Sequence, residues 1–242
     1  LIGVSSGAAL FAALYLVLGA GILSALPGLT LSAFVGGLIT TCLVLEVGRR
    51  GGTISAMLLA GVAINALAIA CIGLLSYVST DMQLRSVTFW ALGSLGGSDW
   101  NGVLVASGIP FVILLLFLER TRLNAITLGD QEANYLGISV SALRVRIVLL
   151  TALAVSIGVA LTGVIAFVGL VVPHLIRLTM GSSHQIVIPA SALLGGILLL
   201  IADTLSRTLF APAEVPVGIL TALIGGPFFI VLIMRQKGKL GI

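Results

Sequence analysis

The chain has 242 residues, of which 59% are hydrophobic and 8% are charged, and its mean hydropathy is +1.27. This composition excludes a water-soluble domain, because the apolar stretches repeatedly reach the roughly 20 residues that a helix needs to cross a bilayer. The net charge of +4 and the pI of about 9.6 would also suit a nucleic-acid-binding protein. The distribution of the basic residues along the chain, described below, gives a different explanation. No hydrophilic linker divides the chain, so we expect one all-α, polytopic membrane domain over residues 1–242 and no nucleic-acid partner.

Eight apolar segments are predicted to cross the membrane. They lie at residues 4–24, 28–47, 53–77, 101–118, 143–162, 164–180, 186–207 and 216–234. The stretch around residues 160–172 is the least regular, because Thr162-Gly163, Gly169 and Pro173 interrupt it, which is compatible with a broken or partly extended course. The chain begins with Leu1 and without a basic n-region or cleavage site, so no signal peptide is expected. Residue 1 is not expected to be the biological start.

Basic residues are distributed unevenly over this topology. One side carries ten of the twelve: Arg49, Arg50, Arg120, Arg122, Arg144, Arg146, Arg177, Arg235, Lys237 and Lys239. The other side carries only Arg85 and Arg207. By the positive-inside rule, residues 127–137 and the C-terminus are cytoplasmic, whereas residues 78–100 and the turn near 211–216 face outward. This distribution explains the high pI.

The outer loop at residues 78–100 is predicted to contain a short amphipathic helix. Phe89 and Trp90 suit the interface between lipid headgroups and hydrocarbon. Arg85 is isolated among apolar residues, and it could meet an anionic ligand or partner, or simply water and lipid phosphate.

The second outer turn carries one acidic and one basic residue at helical spacing. Asp203 and Arg207 are one turn apart and can form an ion pair on one face. Arg207 lies nearer the outside and is freer for another role. Glu214 stands between two prolines, where turn formation is its simplest role.

The main polar stretch on the cytoplasmic side is Thr127–Gly137. Thr127 is predicted to cap a short helix, Asp130 to lie in its first turn and Gly137 to end it in a left-handed conformation. Such a helix is too short to be stable alone or to cross a bilayer, so we expect it to pack on a surface. A plain surface loop is the alternative.

Small residues are expected to bring membrane helices together. The chain has 30 glycines, and the Gly3-xxx-Gly7 motif is the candidate for a helix contact. The motifs Gly48-xxx-Gly52 and Gly93-xxx-Gly97 are expected in loops. Cys42 and Cys71 lie in apolar runs without partners at ligand spacing, which favours buried packing over a disulfide or a metal site.

The sequence contains no recognisable catalytic or metal-binding constellation. A P-loop and an HExxH motif are absent, and His174 and His184 are best interpreted as core or interfacial residues. Glu46 lies near the end of a segment and Asp203 has a basic neighbour, so few acidic groups remain for a proton- or sodium-coupled carrier. Energy is then expected to come from another subunit, or transport to run downhill.

Motifs along nearly the whole chain resemble those of one family of membrane permeases. They are Gly3-Val-Ser-Ser-Gly-Ala8, Leu59-Ala-Gly-Val62, Phe89-Trp-Ala-Leu-Gly-Ser-Leu95, Leu128-Gly-Asp130, Leu136-Gly137, the segment from Gly163 to Arg177 with Val172-Pro-His174, Ala202-Asp203 with Arg207, Glu214-Val-Pro-Val-Gly218 and Gly225-Gly-Pro227. In this order they are similar to the permease subunits of type II ATP-binding-cassette importers for iron-siderophores, haem and cobalamin.

The resemblance implies a ten-helix permease of the bacterial inner membrane that forms a homodimer around a central path. Two cytoplasmic ATPase subunits would carry ATP and Mg, and a periplasmic binding protein would dock outside. This chain begins at the motif that opens the third helix, so two N-terminal helices are expected to be missing.

The resemblance also assigns roles to individual residues. It places the ATPase-coupling helix at Gly129, Asp130, Glu132, Ala133 and Gly137. It makes Arg207 and Glu214 contacts for the binding protein, and Thr53, Ile54 and Ser55 a cytoplasmic gate. No catalytic or metal-binding residue is implied.

The segment Leu84–Gly97 looks most similar to haem permeases, so haem, delivered by a periplasmic haem-binding protein, is the expected substrate. A haem needs an apolar slot and cations for its propionates, and the residues expected at the outer mouth are Tyr77, Met82, Arg85 and Phe89. No cofactor is expected in the chain itself. Ferric siderophore or cobalamin is the alternative within the family. A stand-alone carrier or channel and a membrane-embedded enzyme are the competing classes.

Overall fold

The computed structural model describes residues 3–19, 27–51, 54–209 and 214–237, and in this part of the chain every regular element is helical. The helices are α1 (Val4–Leu14, continued by a π-helical turn at Tyr15–Gly19), α2 (Pro27–Gly51), α3 (Ile54–Val78), α4 (Asp81–Leu92), α5 (Trp100–Ala106), α6 (Gly108–Leu118), α7 (Arg120–Ile126), α8 (Asp130–Tyr135), α9 (Val140–Thr162), α10 (Val168–Met180), α11 (His184–Thr208) and α12 (Val217–Lys237). The predicted all-α fold is confirmed.

Five stretches among these residues are long and apolar enough to cross a bilayer. They are Gly28–Gly51, Ser55–Val78, Trp100–Leu118, Val140–Thr162 and His184–Thr208. Shorter apolar helices occupy Val4–Gly19, Val168–Met180 and Val217–Val231. Each of the eight predicted segments therefore corresponds to apolar helix, although residues 20–24 of the first lie outside the described part. The number of crossings stays a prediction.

The centre of the fold is formed by α1, α2 and α9. Its buried cluster consists of Ala8, Ala12, Ala33, Val159 and Ala160. Lipid chains are as apolar as leucine, so such a core depends on close packing of small side chains. A Cβ atom added to Gly7 would lie 2.7 Å from the carbonyl oxygen of Gly36, which means that the two backbones touch. The predicted helix contact at Gly7 is confirmed.

Glycine pairs elsewhere agree only in part with the predictions. Gly93 and Gly97 lie in the loop that follows α4, as expected. Gly48 instead lies inside α2, where an added Cβ would come within 2.7 Å of the Met57 side chain of α3. Its assignment to a loop is therefore wrong, because the helix continues through Arg49 and Arg50 before it ends.

The outer helix α4 is held at both ends. At its start, Gln83 accepts from the Thr80 backbone N–H at 2.9 Å and donates to the carbonyl oxygen of Val17 in the π-helical turn, also at 2.9 Å. At its end, the Ser94 N–H donates to the Thr162 carbonyl at 2.8 Å. A side chain at Gly218 would strike the Leu92 carbonyl oxygen. These contacts fix α4 against α1, α9 and α12.

The irregular course predicted after α9 is confirmed and confined to residues 163–167. α10 begins at Val168, and both Gly169 and Pro173 lie inside it without ending it. Phe167 has φ +67°, a left-handed conformation that is costly for a bulky residue. The side chain of Phe167 packs directly on Gly225 of α12.

Two expectations about buried side chains are corrected. Cys42 and Cys71 are both exposed on the surface of the chain, so their predicted internal packing is wrong. Trp90 packs against the central cluster, whereas Phe89 is 64% exposed. Trp90 therefore anchors α4 to the protein, and the interfacial location of Phe89 and Trp90 stays a prediction. Hydropathy indicates depth in the membrane, but it does not indicate whether a side chain points toward lipid or protein.

Candidate functional site

The short helix α8, on the side predicted to be cytoplasmic, is bounded by two glycines with positive φ. Gly129 has φ +128° and Gly137 has φ +78°, so the predicted left-handed residue at the end of the helix is confirmed. Asp130 lies in the first turn, as predicted. Thr127 does not cap the helix, because its hydroxyl donates to the Asn124 carbonyl at 2.6 Å and Gly129 occupies the cap position. The Thr127 prediction is therefore wrong.

Helix α8 is attached by one buried side chain and one ion pair. Ala133 is fully buried, whereas Glu132 is exposed. Arg144 of α9 donates through Nη2 to both carboxylate oxygens of Asp130, at 3.0 and 3.3 Å. Ala133 therefore belongs to the predicted helix but packs against the rest of the chain, so its side chain is not available to a partner.

The outer surface of this region carries large apolar side chains to which the sequence analysis assigned no role. Tyr135 is 89% exposed, and Leu128 and Leu136 are also exposed. Exposed large apolar side chains on an otherwise polar segment are typical of a protein contact. The sequence gives a signal for them, since all three lie inside the polar stretch 127–137.

A buried carboxylate next to α8 was also missed by the sequence analysis. Glu119, between α6 and α7, accepts from Arg122 Nη1 at 2.8 Å and from Arg146 Nη1 at 2.6 Å. It is the one charged residue that is buried in the described part of the chain. The hydrogen bond from Arg146, followed by the contacts with Arg122, holds the pKa of Glu119 below its ordinary value, although burial opposes this shift.

On the side predicted to face outward, α4 presents one exposed face and one packed face. Met82, Arg85 and Phe89 follow one another at helical spacing, and all three are exposed. Gln83 and Val87, on the other face, contact the protein. Tyr77, in the last turn of α3, is 89% exposed. Three of the four residues predicted at the outer mouth therefore share one surface of α4.

The outer end of α11 carries the predicted ion pair. Arg207 Nε donates to Asp203 Oδ2 at 2.9 Å, while the Arg207 side chain stays 44% exposed. Glu214 is exposed in the turn before α12, and the Val215 N–H donates to the Ser206 carbonyl at 3.2 Å. This hydrogen bond attaches the turn to α11. The exposed, oppositely charged side chains of Arg207, on α11, and Glu214, in the turn, therefore lie at the same end of the molecule.

The three residues of the predicted cytoplasmic gate are described only in part. Thr53 and the side chain of Ile54 lie outside the described residues, whereas Ser55 is exposed at the start of α3. The gate therefore stays a prediction. Among the described residues, His, Cys, Asp and Glu side chains do not gather in groups of three that could hold a metal. His184 contacts Asn124 Oδ1 through Nδ1 at 2.7 Å.

Comparison with known proteins assigns the chain to a family. A model described as the FecCD transport family matches residues 1–235. The chain belongs to the FecCD transport family. Its relatives within and near this family include the hemin transport system permease protein HmuU of Yersinia pestis, which is 48% identical over 98% of this chain and 72% of that protein.

Two further FecCD-like relatives are more distant. The vitamin B12 import system permease protein BtuC of Pectobacterium atrosepticum is 39% identical over 98% of this chain and 71% of its own length. A putative ABC transporter permease protein of Methanocaldococcus jannaschii is 39% identical over 86% of this chain, which spans 60% of that protein.

One solved structure has the same fold over almost the whole FecCD chain. It is described as an inward-facing conformation of a putative metal-chelate type ABC transporter, with a TM-score of 0.89 and 35% identity. The match covers 97% of this chain and 74% of that one. These comparisons confirm the predicted class, a multi-pass permease of the ATP-binding-cassette importers.

Proposed function

We propose that this chain is the permease subunit of an ATP-driven importer that moves haem across the bacterial inner membrane into the cytoplasm. The observation that carries the substrate is the 48% identity with a hemin permease, against 39% with a vitamin B12 permease over the same share of the chain. In this proposal a periplasmic haem-binding protein delivers the substrate, and two copies of the chain enclose the path.

The geometry of α8 supports a coupling role toward an ATPase subunit. The helix is attached through Ala133 and Asp130, while Glu132 and Tyr135 face away from the chain. A partner that binds this exposed face could displace α8 as ATP binds and is hydrolysed. Different contacts with α8 in two states of the ATPase would bias the permease between its inward-open and outward-open forms.

The exposed face of α4 supports a haem-contacting role at the outer mouth. Met82 and Phe89 offer apolar contact to a porphyrin ring, and Arg85 between them offers a cation for a propionate. Tyr77, exposed in the last turn of α3, is the fourth residue of the proposed mouth. Haem passes as a substrate and needs no resident cofactor in this chain; ATP and Mg would be bound by the ATPase.

The homodimer and the docking of a binding protein are further parts of the proposal. In the five segments that are long enough to cross the membrane, only 6–33% of the most apolar stretch is buried within the chain. A second copy could cover part of that surface. Arg207 and Glu214, exposed at the outer end, would meet opposite charges on the binding protein and mainly accelerate encounter.

The proposal is tested by uptake in liposomes that contain the full-length permease and its ATPase. Haem, a ferric siderophore and cobalamin are offered in parallel, each with its cognate binding protein, with and without ATP inside the vesicles. We expect ATP-dependent accumulation of haem alone. ATP-dependent accumulation of another ligand would support an ATP-driven importer but contradict haem as its substrate. Uptake that does not depend on ATP would indicate a stand-alone carrier.

Ferric siderophore is the second candidate substrate. The solved structure with the same fold is described as a metal-chelate type transporter, and a ferric chelate would also use a cation at the mouth. The parallel uptake experiment separates the two, because Arg85 alone does not distinguish a propionate from an anionic chelate.

A further inference from the structure

The buried carboxylate of Glu119 connects three helices at the cytoplasmic base of the molecule. Glu119 follows the last residue of α6 and precedes α7. One of its oxygens binds Arg122 of α7 at 2.8 Å, and the other binds Arg146 of α9 at 2.6 Å. The second bond spans 27 residues of sequence, so it is a tertiary link, whereas the bond to Arg122 is local.

A neighbouring arginine connects α9 to the coupling helix. Arg144 binds Asp130, the first residue of α8, at 3.0 Å. Residues two apart on a helix point in different directions, so Arg144 and Arg146 hold α9 from two sides. The base of α9 is thereby attached to α8 through one arginine and to the α6–α7 junction through the other.

The ion pairs are the main link between α7 and α9, because the two helices pack on each other at few points. A pocket of about 210 Å³ lies beside Arg122 and Arg146, between α7 and the loop that begins α9. Direct contact between α7 and α9 is sparse, although α6 packs well on α9. Helices that touch at few points constrain each other weakly, whereas a carboxylate with both oxygens engaged holds its partners at fixed distances.

The charge on Glu119 is maintained in this setting. The contact with Arg146 holds its pKa below the ordinary range, so the carboxylate is ionised at cytoplasmic pH. Apolar residues of similar size can stabilise a protein as well as a buried ion pair does. The distinctive contribution of Glu119 is therefore geometric, because its ion pair with Arg146 sets the position of α7 relative to α9.

We propose that Glu119 is a positioning residue that joins the α6–α7 junction to α9, so that displacement of α8 moves α6, α7 and α9 together. The inference rests on the proposed function, since it requires an ATPase subunit that displaces α8. Without the joint, α9 would still follow α8 through Arg144 and Asp130, but the α6–α7 junction would no longer be held to α9 by an ion pair and would not move with it. ATP hydrolysis would then continue with less substrate moved for each ATP consumed.

The test measures ATP hydrolysis and substrate uptake in the same liposomes, with the full-length permease and its ATPase. In Glu119→Gln and in Arg146→Gln, we expect substrate moved per ATP to fall by about fivefold or more, while ATP hydrolysis stays within about twofold of wild type. Arg122→Gln breaks only the local bond, so it should retain most of the wild-type ratio.

A second carboxylate provides a matched control. Glu46 also binds two arginines, Arg49 at 3.1 Å and Arg50 at 2.9 Å, but both lie on its own helix α2. Glu46→Gln therefore removes a similar pair of bonds without disconnecting any element, and its transport ratio should equal that of the wild type.

The outcomes separate this inference from the proposed function. If wild-type uptake ignores ATP, the proposed function fails and the inference falls with it. If wild-type uptake depends on ATP but Glu119→Gln and Arg146→Gln keep the wild-type ratio, only the inference is rejected. An equal loss in Arg122→Gln or Glu46→Gln would also reject it, since these variants leave the joint to α9 intact. Arg146→Gln keeps Glu119 paired with Arg122, so it remains informative if Glu119→Gln does not fold.

Discussion

The contact between Gly218 and the outer ends of α4 and α9 leads to a prediction about both stability and transport. Gly218 is the second residue of α12, and its φ is not positive, so only space decides whether alanine is tolerated. An added Cβ would strike the carbonyl oxygen of Leu92 and lie 3.0 Å from that of Val164. Both neighbours are backbone atoms, which cannot rotate away.

The cost of Gly218→Ala follows from these distances. Ordinary van der Waals contact begins at 3.4 Å, so the Val164 carbonyl must retreat by about 0.4 Å and the Leu92 carbonyl by more. Inserting a methyl group into a packed site costs about 1–3 kcal/mol. Alanine gains at most about 1 kcal/mol over glycine inside a helix, and less in the first turn. We therefore expect net destabilisation of about 1–2 kcal/mol.

Thermal unfolding of the purified permease measures this effect. A loss of that size lowers the midpoint by roughly 2–4 °C per kcal/mol in a domain of this length. Gly196→Ala in α11 is the matched control, because an added Cβ there meets no atom within 4 Å, and it should leave the midpoint equal or raised. Haem uptake should fall only in Gly218→Ala, since α4 must shift. A midpoint at or above that of Gly196→Ala would refute the close approach.

Four further predictions concern charged and exposed residues. Arg85→Gln should reduce haem uptake several-fold, whereas Arg85→Lys should retain most of it, as measured in the liposome assay; equal loss would exclude a purely electrostatic role. Arg207→Glu should weaken docking of the binding protein more at low than at high salt in a binding titration, because screening reduces the repulsion. Tyr135→Ala should reduce co-purification of the ATPase without lowering the midpoint of thermal unfolding. Ala133→Leu should instead lower the free energy of unfolding by about 1–3 kcal/mol, and with it the midpoint. The reverse result would contradict the assignment of the two faces of α8. Because the pKa of Glu119 is lowered from 4.5 in the folded protein, its stabilising contribution is present above that pH and is lost as the pH falls through the lowered value. The midpoint difference between wild type and Glu119→Gln should accordingly be constant from pH 8 to about pH 5 and shrink below it, and a difference that grows in acid would contradict the sign.

Local backbone features of residues 127–137 were predictable because they depend on neighbouring residues. Gly137 ends α8 and Asp130 opens it, as the spacing indicated. Thr127 was misassigned because a threonine can also donate back to the preceding turn, and here its hydroxyl bonds Asn124. Sequence spacing does not decide whether the Thr127 hydroxyl bonds the Asn124 carbonyl or the N–H groups at the start of α8, since both partners lie within three residues.

Side-chain direction in the membrane was less predictable than depth. Hydropathy placed Cys42, Cys71 and Trp90 in or near the bilayer, but the two cysteines face outward from the chain and Trp90 faces inward. The helices that contain the cysteines are apolar on nearly all sides, so their periodicity carries little information about which face is covered. Trp90 is held inward by the contacts that fix α4 on α9 and α12.

The ion pairs separate what spacing can predict from what only the fold can decide. Asp203 and Arg207 lie four residues apart on α11, so their pairing followed from helical periodicity, and the structure confirms it at 2.9 Å. Glu119 and Arg146 lie 27 residues apart and on different helices, so no local rule connects them. A pair within one helix stabilises that helix alone, whereas a pair between helices also determines how they move relative to each other. In a transporter the second kind of pair can influence transport directly. The carboxylate that the sequence did not single out is therefore the one with the larger expected effect on the number of substrates moved per ATP.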